Sequence, residues 1–309
     1  MSDGAAQIQP RPALPVRLLL FASIVAAAAL GLALALTLAR GGETPGHHAE
    51  LLGFNPLYAF SGLLVGVLTG LTGVGGGSLM TPLLILLFHF HPSTAVGTDL
   101  LYASATKSVG TVVHSANKTV DWSITGLMAL GSVPSALITV LILYSLHFHG
   151  DAASKVISTV LGFALLLTAV TLLFRRHIFA FAEQRSMTLG PRATTVLTVV
   201  LGAALGVLIT LSSVGAGAIG VTVLIFLYPK MPVARIVGSD IAHAVPLTLV
   251  AGAGHWLMGS VNLPLLGSLL VGSIPGMIIG SQLTARIPER VLRPILAGTL
   301  LLVGSKLVF

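Results

Sequence analysis

From Ile124 to Leu146 the chain runs without a charged residue, and stretches of the same kind recur along most of its length. About 20 apolar residues is the length of an α-helix across a bilayer. Within lipid, only helices and closed barrels satisfy their own backbone hydrogen bonds, and these runs lack the alternation of barrel strands. The fold class is therefore all-α and polytopic transmembrane. Composition agrees: with 55% hydrophobic and 8% charged residues, the chain has too few polar side chains to cover a soluble surface. A formal net charge of +7 could suggest a nucleic-acid partner, but the basic residues fall in short clusters between apolar segments. That is the pattern of membrane loops. The absence of cysteine excludes thiolate metal sites, redox dithiols and disulfides.

The apolar segments read as Leu18 to Ala39, two shorter ones at Leu57 to Thr72 and Leu79 to Phe90, then Ala95 to His114, Ile124 to Leu146 and Val156 to Phe174. The same order then returns at Thr195 to Leu211, Ala218 to Tyr228, Val233 to Trp256, Leu263 to Leu283 and Val291 to Val308. The first segment exceeds a normal signal-peptide core and reads as a retained anchor helix rather than a cleaved leader. The sequence repeats along with the pattern. "GVLTGLTGVGGGSLMTP" from Gly66 lies on "GVLITLSSVGAGAIGVT" from Gly206 at a shift of 140. A shift of 141 then aligns "VGTDLL" from Val96 with "VGSDIA" from Val237, His114 with His255, and "GSVP" from Gly131 with "GSIP" from Gly272.

The chain thus reads as residues 1–56 with a cytoplasmic N-terminus and an extra helix, a first repeat at 57–176, a cytoplasmic linker at 177–194 and a second repeat at 195–309. Five segments per unit is an odd number, so the two units enter the membrane from opposite sides, an inverted-topology repeat. Charge tests this separately. With the N-terminus inside, the cytoplasmic connections hold Arg11, Arg17, Lys118, Arg175, Arg176, Arg185, Arg192, Lys230, Arg235, Arg286, Arg290 and Arg293. The outer side keeps Arg40, Lys155 and Lys306, and Lys107 falls inside a span. This is the positive-inside bias expected of a multi-pass protein of a cell membrane.

Within each unit a glycine-rich stretch, "GVGGGS" at Gly73 and "SVGAGA" at Ser213, interrupts the apolar run. No strand precedes it and no Lys follows the glycines, so it is not a phosphate loop of the Walker type. Irregular backbone at membrane depth is tolerated where it is buried in protein or lines a cavity, and paired breaks in the two halves are a pointer to a transport site. Glycine also permits close helix packing, which is the plainer reading. Whether each short pair crosses fully or forms a re-entrant hairpin is open, because both give the same parity.

The glycine break followed by Pro82, "AVGTDL" from Ala95, "VVHSANKTVDW" from Val112 and "GSVP", with their second copies, resemble the sulfite exporter TauE/SafE family of membrane transporters over about residues 57–308. The resemblance implies transport of small sulfur-containing anions such as sulfite, sulfoacetate and related organosulfonates. The second half carries "MGSVNL" where the first has "NKTVDW".

Candidate binding groups follow from the chemistry of an anion. They are the backbone N–H groups at Gly75, Gly76, Gly77, Ser78, Gly215 and Gly217, the hydroxyls of Ser78, Thr98, Ser213 and Ser239, and the ammonium of Lys107. Lys107 stands two turns from Asp99, so a structural pair between them competes with substrate binding. Asp99 and Asp240 are intramembrane carboxylates in equivalent helices, suited to binding a proton or to accepting backbone N–H groups. His114, His243 and His255 can relay protons near neutral pH, while His114 and His255 at helix ends also complement the helix dipole. The "HFHPS" and "HFHGD" loops lack the further ligands of a metal site, and no cofactor is expected.

Three classes of function fit such a chain. A secondary transporter for a small anion, with protons and the bilayer as its other partners, leads. An anion channel would also use paired breaks. An intramembrane enzyme would make Asp99, Asp240 and the histidines catalytic, but no HExxH or GxSxG signature supports it. Oligomeric state and substrate identity are not legible in the residues. Because the chain has no cysteine, topology is open to direct labelling. Lys155→Cys should react with an impermeant maleimide on intact cells, and Glu183→Cys should react only after the membrane is breached.

Overall fold

A computed structural model describes residues 54–72, 77–145, 151–184, 190–283 and 289–308. The N-terminal segment expected at Leu18 to Ala39 lies outside the described residues, as do Gly75 and Gly76. Among the described residues there are ten helices: α1 (Pro56–Thr72), α2 (Gly77–Leu86), α3 (Pro92–Ala116), α4 (Trp122–Ser145), α5 (Asp151–Gln184), α6 (Pro191–Ser212), α7 (Ile219–Leu227), α8 (Val233–Leu257), α9 (Leu263–Leu283) and α10 (Glu289–Val308). Four segments, Trp122–Ser145, Lys155–Phe174, Pro191–Ser212 and Val233–Leu257, are long and apolar enough to cross a membrane. The protein is an all-helical, polytopic membrane protein.

Two helices end elsewhere than the apolar runs they carry. Helix α5 runs on through Arg175 and Arg176 to Gln184, because no proline or glycine in that stretch stops it. Helix α2 stops at Leu86 rather than Phe90, where the chain turns through His89 at φ 55°.

The polarity of the molecule is reversed relative to a soluble protein. Leu130, Leu137, Leu141, Phe163 and Leu302 are exposed on the outer faces, while Thr81, Asp99, Thr210, Asp240, His243 and Ser273 are buried. Lipid is as apolar as leucine, so helices gain little from burying leucine against each other and associate through close contact of small residues. Gly62 and Gly66 of α1 lie against the backbone of Leu269 and Ser273 in α9, and Gly272 and Gly276 reciprocate against Ala59 and Leu63. A Cβ at Gly272 would stand 1.7 Å from the Ala59 carbonyl oxygen. Helices α4 and α6 repeat the arrangement: Gly202 meets Met128, Gly206 meets Ser132 and Gly131 meets Val199. Ser135 takes the place of the fourth glycine and donates to the Ala203 carbonyl at 2.9 Å.

These contacts keep the offsets that align the two sequence copies. Helix α3 also packs on its own counterpart, α8. Gly97 near the start of α3 meets His255 and Ser260 at the end of α8, and Gly238 near the start of α8 meets His114 and Thr119 at the end of α3. The two helices are antiparallel. Helices α5 and α10 form a second such pair, meeting where Gly162 and Gly304 touch. The loops follow suit, since the Asp121 N–H donates to Ser239 Oγ at 2.8 Å and the Asn262 N–H donates to Thr98 Oγ1 at 3.0 Å.

The α1–α9 ladder leaves no room for a side chain at its closest point. Gly272→Val should lower the denaturation midpoint in detergent by the equivalent of about 3 kcal/mol or more, as overpacking against rigid backbone does. Gly126→Ala, where a Cβ meets nothing within 4 Å, should change it by less than about 1 kcal/mol.

Candidate functional site

The two helix breaks lie between α1 and α2 and between α6 and α7. At the second, Ser213 takes the left-handed conformation at φ 58° and its N–H donates to the Ile209 carbonyl at 2.7 Å, closing α6. Gly215 and Gly217 follow at φ 125° and 104°, values that disfavour any residue with a Cβ. The glycines of "SVGAGA" thus build a turn as well as allowing close approach. At the first break, Gly77 opens α2 and Ser78 is buried in its first turn.

Helices α3 and α8 cross beside these breaks and bring the charges in. Asp99 is fully buried and accepts a short hydrogen bond from Thr81 Oγ1, one turn into α2. Ser213, from the break of the other half, faces Asp99 as well. Asp99 Oδ1 and Ser213 Oγ are both buried without closing a hydrogen bond. Asp240 is equally buried, but Val221 occupies the position corresponding to Thr81 and offers no hydroxyl. Its carboxylate instead fills the notch at Gly220, where a Cβ would stand 2.2 Å from Oδ1. The Gly217 N–H is turned toward it, yet neither Asp240 oxygen closes a hydrogen bond.

Lys107 lies within the field of both carboxylates, Asp240 foremost and Asp99 second. The Lys107 to Asp99 ion pair considered from sequence does not form. Among the described residues the ion pair is between Arg235 and Asp121, at 3.2 Å. One cation therefore serves two anionic side chains, one from each half.

The remaining candidates have structural partners. The Thr98 and Ser239 hydroxyls each accept a loop N–H, and Ser239 Oγ also donates to the Arg235 carbonyl at 2.7 Å. His114 Nδ1 lies 2.9 Å from Thr119 Oγ1. His255 donates from Nε2 to the Thr210 carbonyl at 3.0 Å, which satisfies an acceptor in the last turn of α6 before the break. His243 sits nearer the charges, with Nε2 at 2.9 Å from Ser132 Oγ. His114 and His255 stand at opposite ends of the α3–α8 pair, apart from each other.

Sequence reasoning missed Thr81, Tyr102, Ser132, Ser273 and Gly220. Tyr102 corresponds to His243 and faces Ser273, the counterpart of Ser132. Both serines lie in the "GSVP" and "GSIP" motifs, so a buried polar residue within a repeated motif was the available signal. On the flank, a cavity of ≈ 700 Å³ opens among α4, α6 and the α7–α8 loop, lined by Asp121, Thr194, Tyr228, Lys230 and Arg235.

Apolar outer faces, polar interior, paired breaks and a half-buried cation in the field of two buried carboxylates define a multi-pass membrane protein with a charged interior site. Comparison gives the family. Residues 58–307 match the model of the sulfite exporter TauE/SafE family. The probable membrane transporter protein YjnA of Bacillus subtilis is 40% identical over 248 residues, 80% of this chain and 97% of that protein. YdhB of the same organism, also a probable membrane transporter protein, is 30% identical over 67% of this chain and 81% of its own. A probable membrane transporter protein of Methanocaldococcus jannaschii is 25% identical over 69% of this chain and 76% of its own. No solved structure matches. The chain belongs to the sulfite exporter TauE/SafE family and is a membrane transporter, not an enzyme.

Thr81 gives Asp99 its hydrogen bond, so Thr81→Val should leave the buried carboxylate without its partner. The expected loss is about 1–3 kcal/mol of stability, read from unfolding in detergent, with Thr81→Ser restoring most of it.

Proposed function

We propose that this transporter carries a small sulfur-containing anion, such as sulfite, sulfoacetate or another organosulfonate, together with a proton, by alternating access at a midplane site between its halves. The observation that carries this reading is Lys107 flanked by one buried carboxylate from each half, each seated beside a helix break. An anion needs a positive counterpart that can also release it. Lys107 supplies the full charge. The N–H groups at Gly75, Gly76, Gly77 and Ser78, and at Gly215 and Gly217, add the partial positive charge of the α2 and α7 N-termini, and the Ser213 hydroxyl is a further donor. Thr98 and Ser239 shape the site by holding the loops. Asp99, Asp240 and the histidines His114, His243 and His255 are the groups able to take the proton.

Alternating access needs two facings of similar energy. The antiparallel α3–α8 and α5–α10 pairs, with contacts recurring at the sequence offset, support an inverted repeat whose axis lies in the membrane plane. If the halves exchange conformations, an opening on one face becomes an opening on the other. The positive-inside bias supports a cytoplasmic N-terminus in a bacterial inner membrane.

In proteoliposomes, uptake of sulfoacetate or sulfite should saturate, show counterflow and respond to an imposed pH gradient. Lys107→Gln should lower the initial rate by about tenfold or more, a loss of at least ~1.4 kcal/mol of binding in the rate-determining state. Flux that rises linearly with concentration and shows no counterflow would indicate a channel.

A further inference from the structure

The two intramembrane carboxylates are equivalent by sequence and different by surroundings. Asp99 is anchored by the Thr81 hydroxyl, and Ser213 stands beside it. Asp240 has neither a hydroxyl nor a closed hydrogen bond, and rests in the Gly220 notch with both oxygens buried and unpartnered. It is also the carboxylate whose charge acts more strongly on Lys107. Lys107 itself has no counterpart, because Thr248 stands at the corresponding position of α8. An ammonium inside a membrane span requires an anion nearby. Of the two carboxylates that act on Lys107, Asp99 is tied at one oxygen to Thr81, and Asp240 is the stronger influence and the one without a hydrogen-bond anchor.

We propose that Asp240 is an internal counterion that occupies the substrate's place beside Lys107, and that it must take up a proton before a substrate anion can bind there. This rests on the reading of Lys107 as the anion site. The step balances. The substrate brings one negative charge to Lys107, the carboxylate becomes a neutral carboxylic acid by taking one proton from water, and the net charge of the site is unchanged for a monovalent anion. Anion and proton then cross together in the same direction. Asp99, held by its hydroxyl, keeps its hydrogen bond throughout and serves to position the two breaks.

The charged and titratable groups around Asp240 are few. Helix α3 brings Lys107, which also feels Asp99, while Tyr102 on the same helix faces Ser273 and Asp99. Its own helix carries His243, which also lies in the field of Lys107. Helix α4 contributes Ser132 on His243 and, at its mouth, Asp121 already paired with Arg235. Helix α7 has no charged residue, and α6 has only Arg192, at the end remote from the break.

The test is titration calorimetry on the purified full chain with methanesulfonate and sulfate, whose charges do not change near neutral pH, and with sulfoacetate. Each is measured from pH 6 to 8 in buffers of different ionisation enthalpy. The wild type should take up about one proton per anion bound, with affinity falling about tenfold per pH unit on the alkaline side. Asp240→Asn should bind the anion with no proton uptake and little pH dependence, while Asp121→Asn, at the ion pair with Arg235 outside the site, should retain both. Binding to the wild type without proton uptake overturns the inference whatever the variants do. Proton uptake that survives in Asp240→Asn overturns it as well, and in either case the anion site itself stands. If Lys107→Gln binds as the wild type does, or the wild type binds none of the three, the site reading falls and the inference with it.

Discussion

A charged side chain inside a bilayer has to find its compensation within the protein, and that requirement organises this molecule. A lysine or aspartate at the centre of a membrane helix costs about 2.5–3.5 kcal/mol on insertion scales. The chain places Lys107 within the field of Asp99 and Asp240, so the cation and each carboxylate lower one another's cost. It then interrupts two helices beside them. A continuous helix has no backbone N–H to spare, whereas the turn through Gly215 and Gly217 directs the Gly217 N–H toward Asp240. Helix α3 carries so many polar residues that it is absent from the helices apolar enough to span on their own. It is stable inside the bundle because α8, α9 and α2 pack against it.

Close helix contact is the second half of that arrangement. Burying polar groups requires the surrounding helices to exclude lipid and water without help from the hydrophobic effect. The glycine ladders of α1 with α9 and α4 with α6 meet the need by letting backbones touch. Each ladder joins a helix of one half to a helix of the other, so the halves are interlocked rather than set side by side. The core clusters have the same character: Leu224 of α7 packs with Met128 of α4, and Met80 of α2 packs with Leu269 of α9.

Much of the fold was legible because membrane insertion leaves a coarse signal. Charge-free runs of fixed length mark helices whatever surrounds them, and a duplicated sequence shows itself without structural knowledge. Asp99, Asp240 and Lys107 could be picked out since charge inside an apolar run is conspicuous. Their unequal surroundings were not visible. Thr81 against Val221, or Met80 against Gly220, are unremarkable substitutions in an apolar helix until the opposing carboxylate is in place. Thr98 and Ser239 looked like substrate donors because hydroxyls beside a break have the right chemistry. In the folded chain the Asn262 and Asp121 N–H groups occupy those hydroxyls, a pairing across more than a hundred residues that no local pattern encodes. The apolar span Val156 to Phe174 was legible, and the helix that contains it runs on to Gln184 because hydropathy reports where lipid stops, whereas a helix continues until something breaks it.

The ion pair between Arg235 and Asp121 has no twin. The corresponding positions are Thr94 and Asn262, so the same hydrogen-bonded loop is charged on one face and neutral on the other. Under the alternating access proposed above, two perfectly matched halves would leave the molecule indifferent as to which way it faces. One partly exposed pair is worth about 1 kcal/mol at most, a factor of about five in population. That is enough to give the empty carrier a resting side and too little to trap it there, and because the pair is open to solvent the bias fades as ionic strength rises.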